Sequence, residues 1–564
     1  MIGKLIAWCA HHRFLVIFAY ALLAAFALKC ARETPLDAVP DLSDPQVIVF
    51  TEYRGQSPTI VEDQVTYPIA SRLLASPKVA AVRGYSMLGM SFVYVVFEEG
   101  TDVYWARSRV LEALSALGGR LPANVTPTLG PDATGVGWVY EYALVDRSQR
   151  RDLAELRALQ DFTLRYALES VPGVAQVASV GGYEREFQVT CDPDKLRGFG
   201  LSLDDVARAV KKATGEQSGR VLEMSGREYF VRGRGYVDKL EDIAEVALRT
   251  DGAGTPVRVR DVAHVRFGPG IRRGLAELDG NGETVGAIVI ARNSENPRDV
   301  IARVKARLED LRPQLPPGVE VVTTYDRAPF IERAVATLRT ALIEEGVTVA
   351  LVILLFLLHF RSALLPAITM PLAVLLAFIP MRLLGVSSNI MSLGGIAIAV
   401  GATVDAEIVM IEACHKKLEG APKDLPFKER AKLLHAAARE VTPAIFFSLL
   451  IIAVSFLPVF GLNGQAGRLF KPLAFTKTFA MAAAAFLSIT LVPALMVLFV
   501  RGHIVPEHRN PVNRFLIWLY RPVIANVLQA KGATIALSAT DHLTLSNVTV
   551  AQLTTDHLIL SSLV

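Results

Sequence analysis

An apolar stretch at residues 390–413 sets the strongest limit on how this chain folds. It is long enough to cross a bilayer as one helix. Asp405 lies inside it, and a carboxylate near the bilayer centre costs about 2.5–3.5 kcal/mol on insertion scales. An acid in such a place is a functional position by default. The stretch therefore predicts a membrane protein that uses an intramembrane carboxylate.

The helical period places the polar groups of this stretch. Asp405 and Glu412 are seven residues apart and share a face, and Met391 lies within about 40° of it, about 21 Å along the axis. Mostly small residues surround them: Gly394, Ile398, Gly401 and Ala402. We expect such a face to let other helices approach and shield the acid. Glu407 points elsewhere and is predicted to be an exposed or interfacial acid without a role. Glu412 lies near the helix end, where it reaches water.

Composition agrees with a membrane protein and excludes several functions. Of 564 residues, 52% are hydrophobic, and the mean hydropathy is +0.36. A net charge of only +4 gives no reason to expect nucleic acid as a partner. The four cysteines show no zinc-binding spacing. No Walker A, HExxH or GxSxG motif is present, so no enzyme is predicted and no cofactor is expected.

Further apolar runs predict six spans in all. They cover residues 14–28, 341–360, 363–384, 390–413, 444–462 and 473–500. Residues 1–30 hold an N-terminal segment and the first span, which we interpret as uncleaved, and residues 338–500 hold spans two to six. The loop after the fourth span is rich in lysine and arginine, which predicts that it is cytoplasmic. Membrane lipids are thus expected partners, and residues 31–337 are expected on the opposite side.

Residues 31–337 predict an α+β region with repeated βαββα subdomains. In the first unit, strands are expected at 46–53, 79–84 and 91–98, with helices at 59–74 and 103–117. In the second, strands are expected at 138–145, 175–180 and 184–191, with helices at 153–168 and 203–213. The recurrence suggests duplicated ferredoxin-like units. An inserted docking part is placed at about 182–272, and a further β-α-β follows at 282–324.

The C-terminal residues form two predicted parts. Residues 501–539 predict a cytoplasmic helix lying at the membrane surface over 515–527 and the start of a possible seventh span. Residues 540–564 form an anomalous tail in which TDHL occurs twice. Its abrupt change of character suggests a frameshift or another truncating event, and the alternative is a genuine short tail.

Six segments together carry a resemblance to a known family: LDAVPDLSDPQVIV, GTDVYWARSRVLE, LGPDATGVGWVYEYALVDRS, VTTYDRA, NIMSLGGIAIAVGATVDAEIVMIE and GRLFKPLAFTKTFAM. With them the chain resembles the heavy-metal efflux branch of the resistance-nodulation-division (RND) superfamily, and most of all the CusA-type copper/silver exporters. Members are about twice as long, so the resemblance is to an N-terminal half. It implies an RND transporter fold, truncated after about six spans, with an α-helical membrane domain and a large α+β periplasmic region.

The resemblance also implies a function and partners. It implies a proton-driven metal antiporter in the bacterial inner membrane, working as a homotrimer with a periplasmic adaptor protein and an outer-membrane channel. Asp405 matches the proton-relay aspartate, and Met391 and Met410 match methionines on the path of transported Cu⁺ or Ag⁺, ions that suit thioether ligands. Three positions depart from the pattern: Thr403 replaces a usual Met, Glu407 a small residue, and Ala413–Cys414 an Asn-Ala pair. The relay partners and the periplasmic methionine cluster would belong to the second half.

Two alternatives stay open at this stage. One is an RND exporter of another metal or of an organic solute, although no aromatic-rich periplasmic pocket is visible as a pattern. The other is a membrane fragment that is inert or that poisons trimers of an intact homologue, and we expect the chain alone to confer no metal resistance.

Overall fold

The structure, a computed structural model, describes residues 2–37, 39–123, 125–250, 254–272, 274–419, 421–422, 426–500 and 510–529. The helices are α1 Ile2–His11, α2 Arg13–Glu33, α3 Pro58–Val61, α4 Tyr67–Leu74, α5 Val103–Ser115, α6 Leu153–Leu159, α7 Arg165–Glu169, α8 Pro193–Gly198, α9 Leu203–Ala213, α10 Leu240–Ala244, α11 Val259–Val262, α12 Pro297–Leu311, α13 Ala328–Leu357, α14 Phe360–Leu383, α15 Ile390–Glu419, α16 Phe427–Val454, α17 Gly464–Ile489, α18 Leu491–Phe499 and α19 Pro511–Gln529. The strands are β1 Gln46–Glu52, β2 Val79–Met87, β3 Met90–Phe97, β4 Thr128–Leu129, β5 Trp138–Asp146, β6 Val174–Gly181, β7 Arg185–Cys191, β8 Gln217–Met224, β9 Arg227–Gly233, β10 Ala247–Thr250, β11 Pro256–Arg258, β12 Ala263–Pro269, β13 Val285–Ala291 and β14 Val319–Asp326. The predicted seventh span and the tail 540–564 lie outside the described residues.

Two compact units make up the chain. The α+β unit comprises Pro35–Asp37 and Asp41–Glu332, and the helical unit comprises the described residues up to Thr34 and from Arg333 onward. The sequence predicted the corresponding boundaries at residues 31 and 337. Mixed helices and sheets in one unit and a helical membrane bundle in the other agree with the predicted fold class at this coarse level.

The first sheet of the α+β unit has the strand order β2-β3-β1-β4, and its neighbouring strands are antiparallel. Val61, Val65, Ile69 and Leu73 recur every fourth residue along α3, a one-turn π-helix and α4, and each is fully buried. They pack with buried strand residues such as Val49 in one hydrophobic core. Burying a side chain of this size contributes about 1.5–3 kcal/mol, so the helical stripe holds the layer on the sheet.

The second sheet has the order β14-β5-β13-β6, again with antiparallel neighbours. In each four-stranded sheet, therefore, the strands follow the order 4-1-3-2 when they are numbered within that sheet. Six of the seven residues of the central strand β13 are buried. Helix α12 covers this sheet through residues such as Val300 and Val304, which belong to the same core.

One part of the predicted second unit is wrong. Residues 184–191 and helix 203–213 were assigned to it, but β7 pairs with β12 in a separate two-stranded sheet, and the second sheet is completed by β13, α12 and β14. Alternation along the chain predicts that a strand exists and does not identify its partner. Here the partners of β5 and β6 follow a long insertion, so sequence proximity misled the prediction.

Five described helical segments are long and apolar enough to cross a membrane: Arg13–Glu33, Phe360–Leu383, Ile390–Glu419, Phe427–Gly461 and Gly464–Ile489. The predicted span at 341–360 overlaps α13, which ends at Leu357 and is not among these five.

The predicted span at 473–500 is not one helix. Helix α17 begins earlier, at Gly464, and stops at Ile489, and α18 starts at Leu491. Pro493 explains the break, because a proline within a helix has no N–H to donate and its ring clashes with the carbonyl group four residues before it, here that of Ile489. The predicted span at 444–462 differs too, since α16 ends at Val454 and a 3-10 segment follows at Leu457–Gly461.

Candidate functional site

Helix α15 carries every predicted site residue and lies inside the helical bundle. Its closest neighbour is α17, at Gly395. A Cβ atom on Gly395 would lie 2.5 Å from the Leu473 carbonyl oxygen of α17 and 2.3 Å from Thr476 Oγ1. Thr476 donates a hydrogen bond to the Ser392 carbonyl oxygen at 2.8 Å. Only glycine allows this approach, so α15 is fixed in rotation relative to α17.

One face of α15, the Asp405 face, is open. It comprises Gly394, Ile398, Gly401, Asp405 and Glu412, and the side chains of Asp405 and Glu412 are exposed. A Cβ atom added to Gly394 or Gly401 would meet no atom of the described residues within 4 Å. The helical period had grouped these residues, and the structure keeps them together. The helices in the described part of the chain do not provide the shielding that the small residues predicted.

The opposite face of α15, the Glu407 face, is packed. It comprises Ile396, Val400, Thr403, Glu407 and Ile411, all of which are at most 4% exposed. The prediction that Glu407 is an exposed or interfacial acid is therefore wrong. The physical reason is rotation: two residues along a helix turn the side chain by about 200°, so Glu407 enters the bundle while Asp405 leaves it.

Glu407 contacts helix α14. Thr369 of α14 is the polar side chain beside its carboxyl group. The second carboxyl oxygen, Oε2, is buried and has no hydrogen-bond partner among the described residues. Thr369 Oγ1 donates to the Leu365 carbonyl oxygen at 2.8 Å.

The predicted methionines are far apart. Met391 is half-buried, and its backbone N–H donates to Asn389 Oδ1 at 3.0 Å near the start of α15. Met410 is buried, and the Thr442 hydroxyl of α16 lies 3.8 Å from its sulfur. Nineteen residues separate them, about 28 Å along the axis. Thr403 lies between, with its hydroxyl donating to the Ala399 carbonyl oxygen at 2.9 Å, so α15 does not carry a continuous row of thioethers.

Sulfur atoms nevertheless gather near Met410. One turn further along α15, the Cys414 thiol lies 4.0 Å from the Met496 sulfur of α18, and both residues are buried. Sequence inspection had noted Cys414 only as a departure from the family pattern. The gap of more than eighty residues between Cys414 and Met496 left no local signal for this contact.

A second polar cluster was not predicted from the sequence. The Ser362 hydroxyl lies 2.7 Å from His359 Nδ1 and 2.8 Å from His415 Nε2, and all three residues are buried. His359 precedes the first turn of α14 and accepts a hydrogen bond there from the Ser362 N–H. In the sequence, the two histidines near the ends of neighbouring helices are the signal from which this cluster could have been predicted. Among the described residues, no group of three His, Cys, Asp or Glu side chains is placed to hold a metal ion.

Comparison with known proteins now identifies the family. The model of the AcrB/AcrD/AcrF family matches residues 6–559. The chain belongs to this family. Its match extends beyond residue 537, the approximate limit to which the sequence resemblance had been followed.

Among family members the chain is similar to cation efflux proteins. It is 52% identical to the cation efflux system protein CusA of Escherichia coli K12 over 550 residues, and 50% identical to the putative cation efflux system protein SilA of Salmonella typhimurium. Each match covers 97% of this chain and 52% of the relative. The predicted resemblance to the heavy-metal efflux branch is therefore confirmed.

A solved structure agrees with these matches. The crystal structure of a heavy metal efflux pump superposes on this chain with a TM-score of 0.80 at 29% identity, covering 97% of this chain and 52% of the other. The chain thus has the RND transporter fold, and its relatives of this family are efflux transporters, not enzymes. The chain spans about half the length of the curated relatives it matches.

Proposed function

We propose that this chain acts in proton-driven efflux of heavy-metal ions across the bacterial inner membrane, as part of an RND transporter. Two relatives at 50% identity or more are named as cation efflux proteins. The monovalent ions Cu⁺ and Ag⁺ are the proposed substrates. The proposal extends to a metal/proton antiport, and it is supported by a carboxylate, Asp405, on a membrane-length helix, since acids inside membrane spans commonly serve proton transfer.

The observation that carries the proposal is the position of Asp405. It lies in the middle of α15 on the open face, flanked by Gly401 and Gly394, where another helix has room to approach closely. Ionised, Asp405 attracts a cationic partner, and protonated it does not. Binding and release of one proton therefore changes how strongly this face holds its neighbour, and such a difference can drive a conformational change.

Soft sulfur groups support Cu⁺ or Ag⁺ as the substrate. Thioethers and thiolates favour soft monovalent ions over hard cations. Met391 is only half-buried near one end of α15, while Met410 is buried toward the other end, one turn from the Cys414–Met496 contact. We propose Met391 and Met410 as contacts on the ion path, with Thr403 as a position that lacks a sulfur donor.

Exposed surface on the α+β unit supports the proposal that the chain has protein partners. The hairpin β8–β9 is exposed along both strands, and Phe230 at 80% and Leu222 at 53% are apolar side chains in water. A hairpin that exposes apolar side chains of this size is suited to insertion into a neighbouring subunit. We propose a homotrimer joined by a periplasmic adaptor and an outer-membrane channel, and we propose that the two sheets of order 4-1-3-2 are ferredoxin-like repeats.

The test is metal tolerance of a bacterial host from which its own exporters have been deleted. The chain is expressed with the second half supplied from a CusA-type relative, and growth is measured in silver, copper and zinc. We expect higher tolerance to silver and copper and no change for zinc. Asp405→Asn is expected to abolish the gain, because an amide carries no exchangeable carboxyl proton.

Glu412→Gln is the matched control, since Glu412 lies on the same exposed face of the same helix. Membrane fractionation confirms that each variant inserts. Silver tolerance at the unsubstituted level in Asp405→Asn contradicts the proton role of Asp405. Tolerance to zinc alone contradicts the proposed soft monovalent substrate.

A further inference from the structure

Glu407 is a buried acid that the proposed transport cycle does not use. It is 4% exposed and stands in a row of apolar side chains, with Ile396 and Ile411 fully buried on the same face. Helices α14, α16 and α17 pack around α15. An ionised carboxylate in such surroundings is unfavourable unless a cation or several donors compensate it.

The structure provides no such compensation among the described residues. Glu407 takes part in no ion pair, and its Oε2 atom has no hydrogen-bond partner. Several titratable groups on α15 and on the helices around it make other contacts. Lys477 of α17 lies with Nζ 3.2 Å from the centre of the Phe456 ring, Arg382 of α14 pairs with Glu33, Glu440 of α16 pairs with Lys417, and His359 and His415 share Ser362.

Thr369 of α14, the polar side chain beside Glu407, is engaged elsewhere. A hydroxyl group has one proton to donate. Thr369 donates it to the Leu365 carbonyl oxygen, as threonines in helices commonly do, at 2.8 Å. That proton is therefore not available to stabilise an ionised Glu407 carboxylate.

We infer that Glu407 is a proton-binding site distinct from Asp405, held as the neutral acid inside the bundle. In this arrangement the two acids of α15 take up protons on opposite faces of one helix. The inference deepens the proposed function, since a second carboxyl would add to the protons that the membrane domain carries. The protonation of Glu407 itself, however, is measurable without transport.

Infrared spectroscopy of the 564-residue chain in lipid vesicles tests the inference. A protonated carboxylic acid has a carbonyl stretch that a carboxylate lacks. We expect such a band at neutral pH, its loss in Glu407→Gln, and its retention in Glu412→Gln, the matched exposed acid on the same helix. Identical bands in the unsubstituted chain and in folded Glu407→Gln would overturn the inference.

A second variant tests whether the band belongs to Glu407 without removing the acid. Thr369→Ala removes the hydroxyl group beside the carboxyl group, so the carbonyl band is expected to shift, whereas Thr369→Ser retains the hydroxyl and is expected to leave the band in place. An unmoved band in Thr369→Ala would overturn the assignment of the band to Glu407. Because no metal movement is measured, loss of the proposed transport function would leave both results unchanged.

Discussion

The two faces of α15 contrast more sharply than the sequence suggested. The Asp405 face carries Gly394 and Gly401 with open space beyond them, while the Glu407 face carries bulky residues that are almost completely buried. An acid stands near the middle of each face. Small residues thus do not by themselves mark the side of a helix that its own chain covers. In this chain the bulky face is packed, and the face made of small residues is open.

The contrast matters for function because the two acids meet different surroundings. Asp405 is accessible to a partner from outside the described helices, so its charge can act between separate structural elements. Glu407 is enclosed by the bundle, and its Oε2 atom has no hydrogen-bond partner among the described residues. The same substitution made once on each face therefore tests this difference directly.

The largest expected effect comes from placing a lysine on each face. Glu407→Lys puts an ammonium group among Ile396, Val400 and Ile411 without a counter-ion, and an uncompensated buried charge costs about 3–5 kcal/mol. Glu412→Lys makes the same substitution at an exposed position, where surface substitutions alter stability by about 0.5 kcal/mol or less. The measurement is the free energy of unfolding in detergent micelles. Equal losses in both variants would show that the faces are not distinguished by packing.

A smaller effect is expected from a single methyl group. In Gly395→Ala the new Cβ would lie 2.5 Å from the Leu473 carbonyl oxygen, a backbone atom that cannot move aside without shifting α17. Overpacking of this kind costs about 1–3 kcal/mol. In Gly401→Ala the new methyl group meets nothing within 4 Å, and alanine is a better helix former than glycine by about 1 kcal/mol.

Opposite signs are thus expected for the two glycine variants in thermal unfolding followed by circular dichroism. A Gly395→Ala protein that melts at the same temperature as Gly401→Ala would contradict the close approach of α15 and α17.

Much of the fold was predictable because it rests on local periodicity. Strands were expected at 46–53 and 138–145, and the structure has them at Gln46–Glu52 and Trp138–Asp146. The helix expected over 390–413 runs from Ile390 to Glu419. Which strands pair was not predictable in the same way, since β13 joins β5 and β6 only after the inserted segment that contains β7 and β12.

Only the Asp405 face of the site was predicted from the sequence, for a related reason. The first part of α15 is apolar almost all round, so its sequence gives little indication of which side is inside. The seven-residue spacing correctly grouped Asp405 with Glu412. The burial of Glu407 depends on the helices that pack around α15 and on the rotation that the Gly395 contact with α17 imposes on it. No pattern within residues 390–413 contains that information.

The smallest expected effect concerns the carboxyl group of Glu407 itself. Glu407→Leu removes the unpartnered Oε2 atom and fills the same space with carbon on an apolar face, and an unsatisfied buried polar group costs about 1 kcal/mol or more. We therefore expect Glu407→Leu to raise the free energy of unfolding by about 1 kcal/mol in detergent micelles. Glu407→Gln keeps polar atoms that need partners and is expected not to stabilise the protein.

On the opposite face, Asp405→Asn is expected to change stability by less than about 0.5 kcal/mol, because Asp405 is not buried by the described helices. Destabilisation by Glu407→Leu would mean that Glu407 makes a favourable polar contact that outweighs its burial, and the two faces would then differ less than their packing indicates.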